Sequence, residues 1–270
     1  MLDVTVIFSI YEKTNLSKFK LALNSILNQT LLPKYIIIVC DGCSFDMFES
    51  CLDEHLSSLV KINIYEYKEN LGPGYARDFA IKRANTKYIA IMDSDDISAL
   101  DRLEIQYNFM EKNNNISVVG GYISEEKDGK FISIRKVPLH HKDISKTIKY
   151  KSPINNVTAF MRRKDYIYVG GYPSIRSSED YCLWSRFLIH GKKMANIENI
   201  LVYVEFDEDT LIRRSGLLHF KNDLFTQKTL YKSGIINIFT FNKNIFKYFI
   251  FRLMNIKIYL YICFKEINLC

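Results

Sequence analysis

The sequence predicts an α/β fold in which a largely parallel β-sheet is covered by helices on both faces. Two observations support this prediction. Up to about residue 100, short apolar runs typical of buried strands alternate with segments whose apolar residues recur at helical spacing. These runs are apolar throughout rather than alternating, as expected for strands that are buried on both faces. In such sheets, ligands bind beyond the carboxyl ends of the strands.

A local sequence pattern predicts each strand and each helix of this N-terminal region. Apolar, β-branched runs predict strands, and apolar residues on one face, such as Phe19, Leu23 and Ile26, predict helices. The predicted strands are 4–10, 36–40, 62–67 and 88–92, and the predicted helices are 16–28, about 46–59 and about 74–85. Four loops follow the strands, and acidic residues or glycines occur in most of them: Ser9 to Lys13, Asp41 to Ser44, Asn70 to Gly74 and Asp93 to Ile97.

The stretch "YIAIMDSDDISALDRLE", residues 88–104, places three carboxylates directly after a buried strand. Ser98 with Asp101 three residues on resembles a capping box and predicts that a helix begins at once. Carboxylates this close repel one another, and oxygen ligands favour Mg²⁺ or Mn²⁺. Asp93 and Asp95 alone do not complete an octahedral shell, which leaves room for a substrate diphosphate. The alternative is a solvated acidic loop at the start of a helix.

The second half of the chain changes character. Strands are predicted at about 117–123 and 131–135, joined by a hairpin turn at Asp128-Gly129, and at 156–161. The stretch "SSEDYCLWSRFLIHG" predicts a helix that opens on Glu179-Asp180 and ends at Gly191. We predict two regions: a main domain over 1–216 and a C-terminal helical extension over 217–270.

The C-terminal segment 239–268 is apolar, aromatic and basic, with five Lys/Arg and one acidic residue. Lys247, Arg252 and Lys257 are five residues apart and therefore do not share one helical face, so the segment is not a simple amphipathic helix. Its composition suits the interface of an anionic membrane. A packing helix or a dimer contact is the alternative. No apolar run approaches the roughly 20 residues that span a bilayer.

Charge and cysteine content exclude some classes of protein. The formal net charge of +7 is dispersed, without the basic patch of a nucleic-acid-binding protein. The six cysteines lack the spacing of a disulfide scaffold, which favours a reducing cytoplasm. Cys40 and Cys43 have the spacing of a zinc half-site, but no second cysteine pair or nearby histidine completes it.

Taken together, these stretches resemble a family 2 glycosyltransferase with the GT-A fold, a Rossmann-like mixed sheet flanked by helices. The resemblance covers about residues 3–216 and is closest to the small non-processive enzymes of bacterial O-antigen, capsule and exopolysaccharide synthesis. The matching stretches are "VTVIFSIYEK", "IIIVCDGCS", "NLGPGYARDFAI", "YIAIMDSDDISALDRLE", "NNVTAFMRR" to "GGYPS", and "SEDYCLW".

The resemblance implies a nucleotide-sugar site at the strand ends. Asp41 is expected to accept from the uracil N3–H, Arg77 to contact uracil or diphosphate, and Asp93 to face the ribose or sugar. The implied nucleotide-sugar set is Ser9, Tyr11, Glu12, Asp41, Arg77, Asp93, Ser94, Arg213 and Arg214. Asp95, with Asp93, is expected to hold Mn²⁺ or Mg²⁺. His219 is a further candidate metal ligand, although a surface or packing role is the alternative.

The resemblance also implies the catalytic and acceptor residues. Asp180 is expected to be the general base, with Glu179 holding it or binding acceptor. Trp184 is expected to stack on an acceptor sugar, unless it belongs to the core, as tryptophans at that spacing commonly do. Asn156 stands where relatives frequently carry histidine, and Cys40 where they often carry a second acid. The departure at Asn156 affects the expected acceptor contact, and the departure at Cys40 affects the expected nucleobase contact.

The implied activity is an inverting, metal-dependent transfer of a hexose or N-acetylhexosamine from a UDP-sugar to a lipid-linked (undecaprenyl-diphosphate) oligosaccharide. The expected location is the cytoplasmic face of the inner membrane, as a peripheral protein. Two alternatives stay open: a degenerate protein that only binds sugar nucleotides, and a D-x-D phosphatase with Asp93 as nucleophile. The motifs determine neither the donor sugar, the acceptor linkage nor the oligomeric state.

Overall fold

A nine-stranded mixed β-sheet organises the larger part of the chain. The computed structural model describes residues 1–52, 60–127, 129–205 and 216–253. It divides into two compact units, Met1–Phe206 and Asp207–Cys270. The division into domains at residue 216 stays a prediction, whereas the predicted α/β class with a mixed sheet is confirmed.

Strands and helices alternate along the chain as far as β4, and less regularly after it. The strands are β1 (Leu2–Ile10), β2 (Pro33–Asp41), β3 (Lys61–Tyr67), β4 (Tyr88–Ile91), β5 (Ile97–Ser98), β6 (Ile116–Lys127), β7 (Lys130–Arg135), β8 (Phe160–Arg162) and β9 (Lys193–Glu205). The α-helices are α1 (Leu16–Leu27), α2 (Pro73–Arg83), α3 (Arg102–Lys112), α4 (His141–Thr147), α5 (Arg163–Tyr168) and α6 (Glu179–Ile189). Two 3₁₀ helices cover Phe45–Cys51 and Asn156–Thr158.

The strand order is β3-β2-β1-β4-β8-β6-β9-β5, with β7 paired to β6. Strands β3, β2, β1 and β4 run parallel, and β8 lies antiparallel between β4 and β6. The carboxyl ends of the four parallel strands therefore meet at one edge of the sheet. This is the edge at which the sequence predicts the ligand site.

Apolar packing fixes the sheet between its helices. Strands β1, β2 and β4 are almost completely buried, in agreement with their apolar sequences. Phe19 of α1 packs edge-to-face on Phe8 of β1, with ring centroids 5.8 Å apart, and in the same way on Phe48. The ends of the parallel strands are thus held in fixed positions from which their loops extend.

Three local predictions need correction. No helix follows the acidic loop at once, because Ile97 and Ser98 form strand β5, which pairs with β9. Of the predicted helix 46–59, the described part is a 3₁₀ helix, and residues 53–59 lie outside the described residues. Of the predicted strand 156–161, the first part is also a 3₁₀ helix, because Thr158 and Ala159 donate backbone hydrogen bonds to Asn155 and Asn156.

Helix α3 is capped by a residue distant in sequence rather than by the predicted capping box. Asp101 occupies the N-cap position, but its side chain makes no capping bond. Gln29 supplies the cap: its Oε1 accepts from Leu103 N at 2.9 Å, and its Nε2 donates to Ala99 O at 2.7 Å. Gln29 is buried, so these bonds satisfy backbone groups that water does not reach.

The second unit contains two antiparallel helices, α7 (Leu217–Lys232) and α8 (Ile238–Leu253), which pack against each other. Gly216 N donates to Arg252 O at 2.8 Å and thereby joins the start of α7 to the end of α8. The predicted helical character of the extension agrees with these elements over 217–253. Residues 254–270, the remainder of the predicted tail, lie outside the described residues.

We expect Gln29→Ala to destabilise the protein by about 2–3 kcal/mol, because it removes the hydrogen-bond partner of the buried Leu103 N–H at the start of α3. Asp101→Ala is the matched control and is expected to change stability by less than about 0.5 kcal/mol. Urea unfolding of both variants measures the difference. Equal losses for the two would contradict capping by Gln29.

Candidate active site

A pocket of about 320 Å³ opens at the carboxyl edge of the parallel strands. It is built from the loops that follow β1, β2, β3 and β4, so the loops expected to converge do converge. Its lining residues are Ser9, Ile10, Tyr11, Asp41, Asn70, Pro73, Arg77, Asp93, Ser94 and Asp95. Polar and charged side chains dominate the lining, which fits a phosphorylated or hydroxyl-rich ligand better than an apolar one.

Asp41 holds the glycine-containing loop against the end of β2. Its Oδ1 accepts from Leu71 N at 2.7 Å, and its Oδ2 accepts from Gly72 N at 2.8 Å. Gly72 has φ +95°, a left-handed conformation that L side chains rarely adopt. A carboxylate that receives two backbone N–H groups is held rigidly, and it faces the pocket in this orientation.

Arg77 of α2 joins two acidic segments that are far apart in sequence. Its Nη2 donates to Asp93 Oδ1 at 2.7 Å, and its Nη1 donates to Glu179 Oε1 at 3.1 Å. Burial alone would lower the pKa of Arg77, but the carboxylates of Asp93 and Glu179 outweigh this effect and raise it. The guanidinium therefore stays charged and holds the Glu179-Asp180 pair near the D-x-D loop.

The close packing of Glu179 against helix α2 depends on a glycine in that helix. A Cβ atom at Gly74 would lie 2.9 Å from Glu179 Cγ, which is too close for a larger residue without movement. Burial raises the pKa of Glu179, and the charge of Arg77 acts in the opposite direction. Glu179 is thus a buried partner of Arg77, which fits a positioning role.

Asp180 begins helix α6 beside Glu179 and is more accessible. Its carboxylate is half-buried, and its Oδ2 accepts from Ser152 Oγ at 3.5 Å. Ser178, which precedes the helix, has φ 57° and is the only non-glycine residue with positive φ in the described ranges. Strained backbone of this kind is characteristic of functional sites, and here it fixes the direction in which the acidic pair enters the helix.

The acidic loop carries excess negative charge. Asp95 is exposed, whereas Asp96 is buried, and burial together with the charges of Asp93 and Asp95 raises the pKa of Asp96 well above its ordinary value. Arg102 is fully buried behind the loop, where burial lowers its pKa to about 9. Asp93 and Asp95 thus lie beside Asp96, whose raised pKa favours its neutral form. An additional cation would stabilise this group of carboxylates.

The oxygen-only donor set fits Mg²⁺ or Mn²⁺. In the described ranges, no group of three or more His, Cys, Asp or Glu side chains is arranged to hold a metal ion. Asp93 and Asp95 would therefore supply only part of a coordination shell, and oxygen atoms of substrate or water would supply the rest. The same finding gives no support to zinc at Cys40 and Cys43, which are free cysteines.

Tyr172 is a site residue that sequence reasoning missed. It is buried, and its hydroxyl donates to Asn156 Oδ1 at 3.0 Å. Burial raises the pKa of Tyr172, and the charges of Arg77, Glu179 and Asp180 act on it. Tyr172 therefore binds Asn156 and lies within the electrostatic influence of the acidic pair. Its position in the turn "GGYPS" gave no sign of this contact, because the contact joins segments 16 residues apart that meet only in the folded chain.

The family is established by a sequence comparison. Residues 5–170 match the model for "Glycosyl transferase family 2", a range that contains the whole pocket lining. The chain belongs to glycosyl transferase family 2. It is therefore a glycosyltransferase, as the resemblance predicted, and the phosphatase alternative loses its support because the matched range includes the D-x-D loop.

Two curated relatives of this family 2 enzyme are bacterial glycosyltransferases with named roles. The chain is 29% identical over 252 residues to the Escherichia coli UDP-Gal:alpha-D-GlcNAc-diphosphoundecaprenol beta-1,3-galactosyltransferase, covering 93% of this chain and 91% of the relative. It is 27% identical over 220 residues to the amylovoran biosynthesis glycosyltransferase AmsE of Erwinia amylovora, covering 82% of each.

Solved structures confirm the GT-A-like fold. Residues 1–349 of S. aureus TarS, in complex with UDP-GlcNAc, align with a TM-score of 0.68 at 16% identity, over 93% of this chain and 72% of that chain. The chain spans only 44% of the longer TarS structure. The mannosyltransferase PcManGT from Pyrobaculum calidifontis, with GDP-Man and Mn²⁺, aligns with a TM-score of 0.62 at 14% identity, over 93% and 70%.

The structure brings most of the predicted site residues of this glycosyltransferase together. Six of the nine predicted nucleotide-sugar residues line the pocket, namely Ser9, Tyr11, Asp41, Arg77, Asp93 and Ser94. Asp95, the predicted metal ligand, lines it as well. Glu12 is exposed in the turn after β1 and is absent from the lining. Arg213 and Arg214 lie outside the described residues. His219 belongs to α7, in the second unit.

Trp184 does not fit its predicted acceptor role. It is fully buried and packs on Phe187 of the same helix, with ring centroids 6.2 Å apart. A ring without exposed surface offers no face for stacking on a sugar, so the alternative of a core residue accounts for Trp184. The burial follows from the position of α6, which sequence spacing did not reveal.

Within the described ranges, no helix combines the length and the apolar character that crossing a bilayer requires.

We expect Arg77→Met to destabilise the protein by about 2–4 kcal/mol, because it leaves Glu179 buried without its counter-charge. Arg77→Lys is the matched control: it keeps the charge but cannot reach both carboxylates, so an intermediate loss is expected. Urea unfolding at neutral pH measures both. Stability of Arg77→Met equal to that of the unmodified protein would show that the two acidic segments do not depend on this bridge.

Proposed function

We propose that the protein transfers a hexose or N-acetylhexosamine from a UDP-sugar to a sugar hydroxyl of a lipid-linked (undecaprenyl-diphosphate) oligosaccharide, with inversion at the anomeric carbon. The pathway setting is the synthesis of a bacterial surface polysaccharide. The relatives named above, one of which acts on a diphosphoundecaprenol-linked sugar by its name, support the substrate class.

One observation supports this proposal above the others. Arg77 contacts Asp93 of the D-x-D loop and Glu179 of the second acidic pair, which is 102 residues away in sequence. A protein that only bound a nucleotide would need the first of these groups but not the second. The bridge places a carboxylate pair, of which Asp180 is the more accessible, next to the proposed donor pocket.

The reaction follows from this arrangement. An acceptor hydroxyl would lose its proton to the Asp180 carboxylate as its oxygen attacks the anomeric carbon from the face opposite the nucleotide. The bond between the anomeric carbon and the diphosphate oxygen breaks, and UDP leaves with the electron pair. A single displacement inverts the anomeric centre, so one carboxylate base suffices. Glu179 would orient its neighbour through Arg77 rather than take the proton.

The nucleotide-sugar contacts are assigned by position in the pocket. Ser9, Tyr11 and Asp41 would hold the nucleoside, with Asp41 accepting from uracil N3–H. Because Asp41 already receives two backbone N–H groups, it would also maintain the shape of the loop at Gly72. Arg213 and Arg214 are proposed to contact the diphosphate. Asn156, which accepts a hydrogen bond from Tyr172, is proposed to contact the acceptor.

Asp95 and Asp93 are the proposed ligands of Mn²⁺ or Mg²⁺. When bound, the metal would stabilise the negative charge of the diphosphate. Asp93 would hold the metal while its Oδ1 also accepts from Arg77 Nη2. Because the acceptor is lipid-linked, we propose that the enzyme works as a peripheral protein at the cytoplasmic face of the inner membrane, with contacts in the segment 239–268.

The proposed activity is tested by UDP release. We expect the purified full chain, with Mn²⁺, a UDP-hexose or UDP-N-acetylhexosamine and a sugar-diphosphate-lipid acceptor analogue, to release UDP in proportion to acceptor. Screening UDP-glucose, UDP-galactose and UDP-N-acetylglucosamine would identify the donor. Undiminished UDP binding without turnover on any of these donors would favour the catalytically degenerate alternative.

Within the same assay, we expect Asp180→Asn to retain donor affinity and lose transfer by about 100-fold or more, the usual contribution of a general base. Glu179→Gln is the matched control. It keeps the acceptor oxygen for Arg77 and is expected to retain much more activity. Near-normal transfer by Asp180→Asn, with a large loss in Glu179→Gln, would move the base to Glu179.

We expect Asp95→Ala to lose Mn²⁺-dependent binding of UDP, because an exposed carboxylate ligand is removed while the Asp93–Arg77 pair remains. Isothermal calorimetry with UDP, in Mn²⁺ and in EDTA, measures the metal-dependent part. Asp101→Ala, an exposed carboxylate outside the pocket, is the control. Retained metal dependence in Asp95→Ala would remove this residue from the metal site.

A further inference from the structure

The hairpin of α7 and α8 buries polar side chains. Asn244 Nδ2 donates to Gln227 Oε1 at 2.8 Å across the two helices, and both residues are almost completely buried. Arg252 Nε donates to Asp223 Oδ2 at 2.7 Å, and Asp223 is only 2% exposed. Helix pairs in water normally bury their apolar stripes instead. The polar residues of this hairpin are thus bonded inside it.

The apolar side chains of α8 are correspondingly exposed. Phe239 is 80% exposed and Phe246 is 67% exposed. Leu253 follows seven residues after Phe246 and is also exposed, as is Phe249 between them. A spacing of seven residues is nearly two helical turns, so these side chains form one stripe along the helix. Helix α7 adds exposed apolar residues of its own: Leu217, Leu218, Phe225 and Tyr231.

The hairpin is also strongly basic. Residues 216–253 contain six Lys/Arg and one acidic residue, Asp223, which is bonded to Arg252. The remaining cations are exposed lysines on both helices: Lys221, Lys228, Lys232, Lys243 and Lys247. In α8 the two lysines lie four residues apart beside the phenylalanine stripe. This arrangement differs from the sequence-based interpretation, which found no amphipathic helix because it followed the lysines rather than the apolar residues.

Exposed phenylalanines beside lysines suit one kind of surface. An anionic bilayer accepts apolar side chains below its headgroups and neutralises cations at the headgroup level. A second copy of the chain fits less well, because a symmetric interface would bring two sets of lysines together. Unpaired like charges at such an interface are unfavourable.

We propose that the outer face of α7 and α8 is a docking surface for an anionic lipid bilayer, with Phe239 and Phe246 entering the interface and the lysines contacting lipid phosphates. The role of this surface in bringing the enzyme to a lipid-linked acceptor depends on the proposed function. Its affinity for lipid follows from the hairpin alone, so binding is measured without donor, acceptor or metal.

The test is co-sedimentation of the full chain with vesicles. We expect binding to vesicles with about 30% phosphatidylglycerol to exceed binding to pure phosphatidylcholine vesicles by about tenfold or more. Binding should weaken as NaCl rises from about 0.05 M to about 0.5 M, because salt screens lysine–phosphate attraction. Equal binding to both vesicles, or no binding to either, would overturn the proposal without any variant.

Two pairs of variants locate the surface. Phe239→Ser with Phe246→Ser is expected to weaken vesicle binding by about tenfold or more, because the apolar area entering the interface is lost. Phe131→Ser with Ile132→Ser, at exposed positions of β7, is the matched control and should leave binding unchanged. An equal loss in both would overturn the assignment to the hairpin.

Lys243→Gln with Lys247→Gln should weaken binding to the anionic vesicles only, whereas Lys20→Gln with Lys112→Gln, exposed lysines of the sheet unit, should not. Unfolding midpoints check that each variant is folded. If the phenylalanine pair instead abolished self-association in sedimentation velocity and left vesicle binding intact, the face would belong to a second copy. Failure of UDP release with normal vesicle binding would count against the proposed function only.

Discussion

The bridge from Arg77 to Asp93 and Glu179 is the interaction on which the candidate site depends. Without a cation between them, the D-x-D loop and the acidic start of α6 would repel each other across the edge of the sheet. The guanidinium suits this place because its planar donors reach two carboxylates at once. Lysine would offer a single point of charge. The cost of burying Arg77 is offset by its two anionic partners, which explains why its pKa is raised despite burial.

Three other residues of the site also allow charged groups and backbone to approach one another closely. Gly74 leaves room for Glu179, and Gly72 adopts the left-handed turn that lets Asp41 receive two backbone N–H groups. Ser178 accepts a strained conformation where α6 begins. Gly72 and Ser178 have positive φ, and all three positions adjoin a candidate functional carboxylate, Gly72 and Gly74 in space and Ser178 in sequence. Backbone strain and small residues thus concentrate where charged groups must be brought together.

The acidic loop and the C-terminal hairpin illustrate one electrostatic principle. In the loop, three carboxylates are held near one another and the buried one, Asp96, is driven towards its neutral form, so the site favours an added cation. In the hairpin, lysines are exposed while the one acid is bonded internally, so the surface favours an added anion. Each arrangement concentrates charge of one sign among the described residues, and each favours a ligand of opposite charge.

The sequence by itself determined the four parallel strands, the family and the identity of most pocket residues. Apolar runs and helical spacing are local properties, and the ends of parallel strands must meet at one edge, so Asp41, Arg77 and Asp93 could be placed together in advance. Only the tertiary structure decided contacts between distant segments. Gln29 caps α3, Trp184 enters the core and Tyr172 joins Asn156 because of how helices and turns pack on the sheet. Periodicity gives the face of a helix, but the neighbour on that face depends on the path of the whole chain.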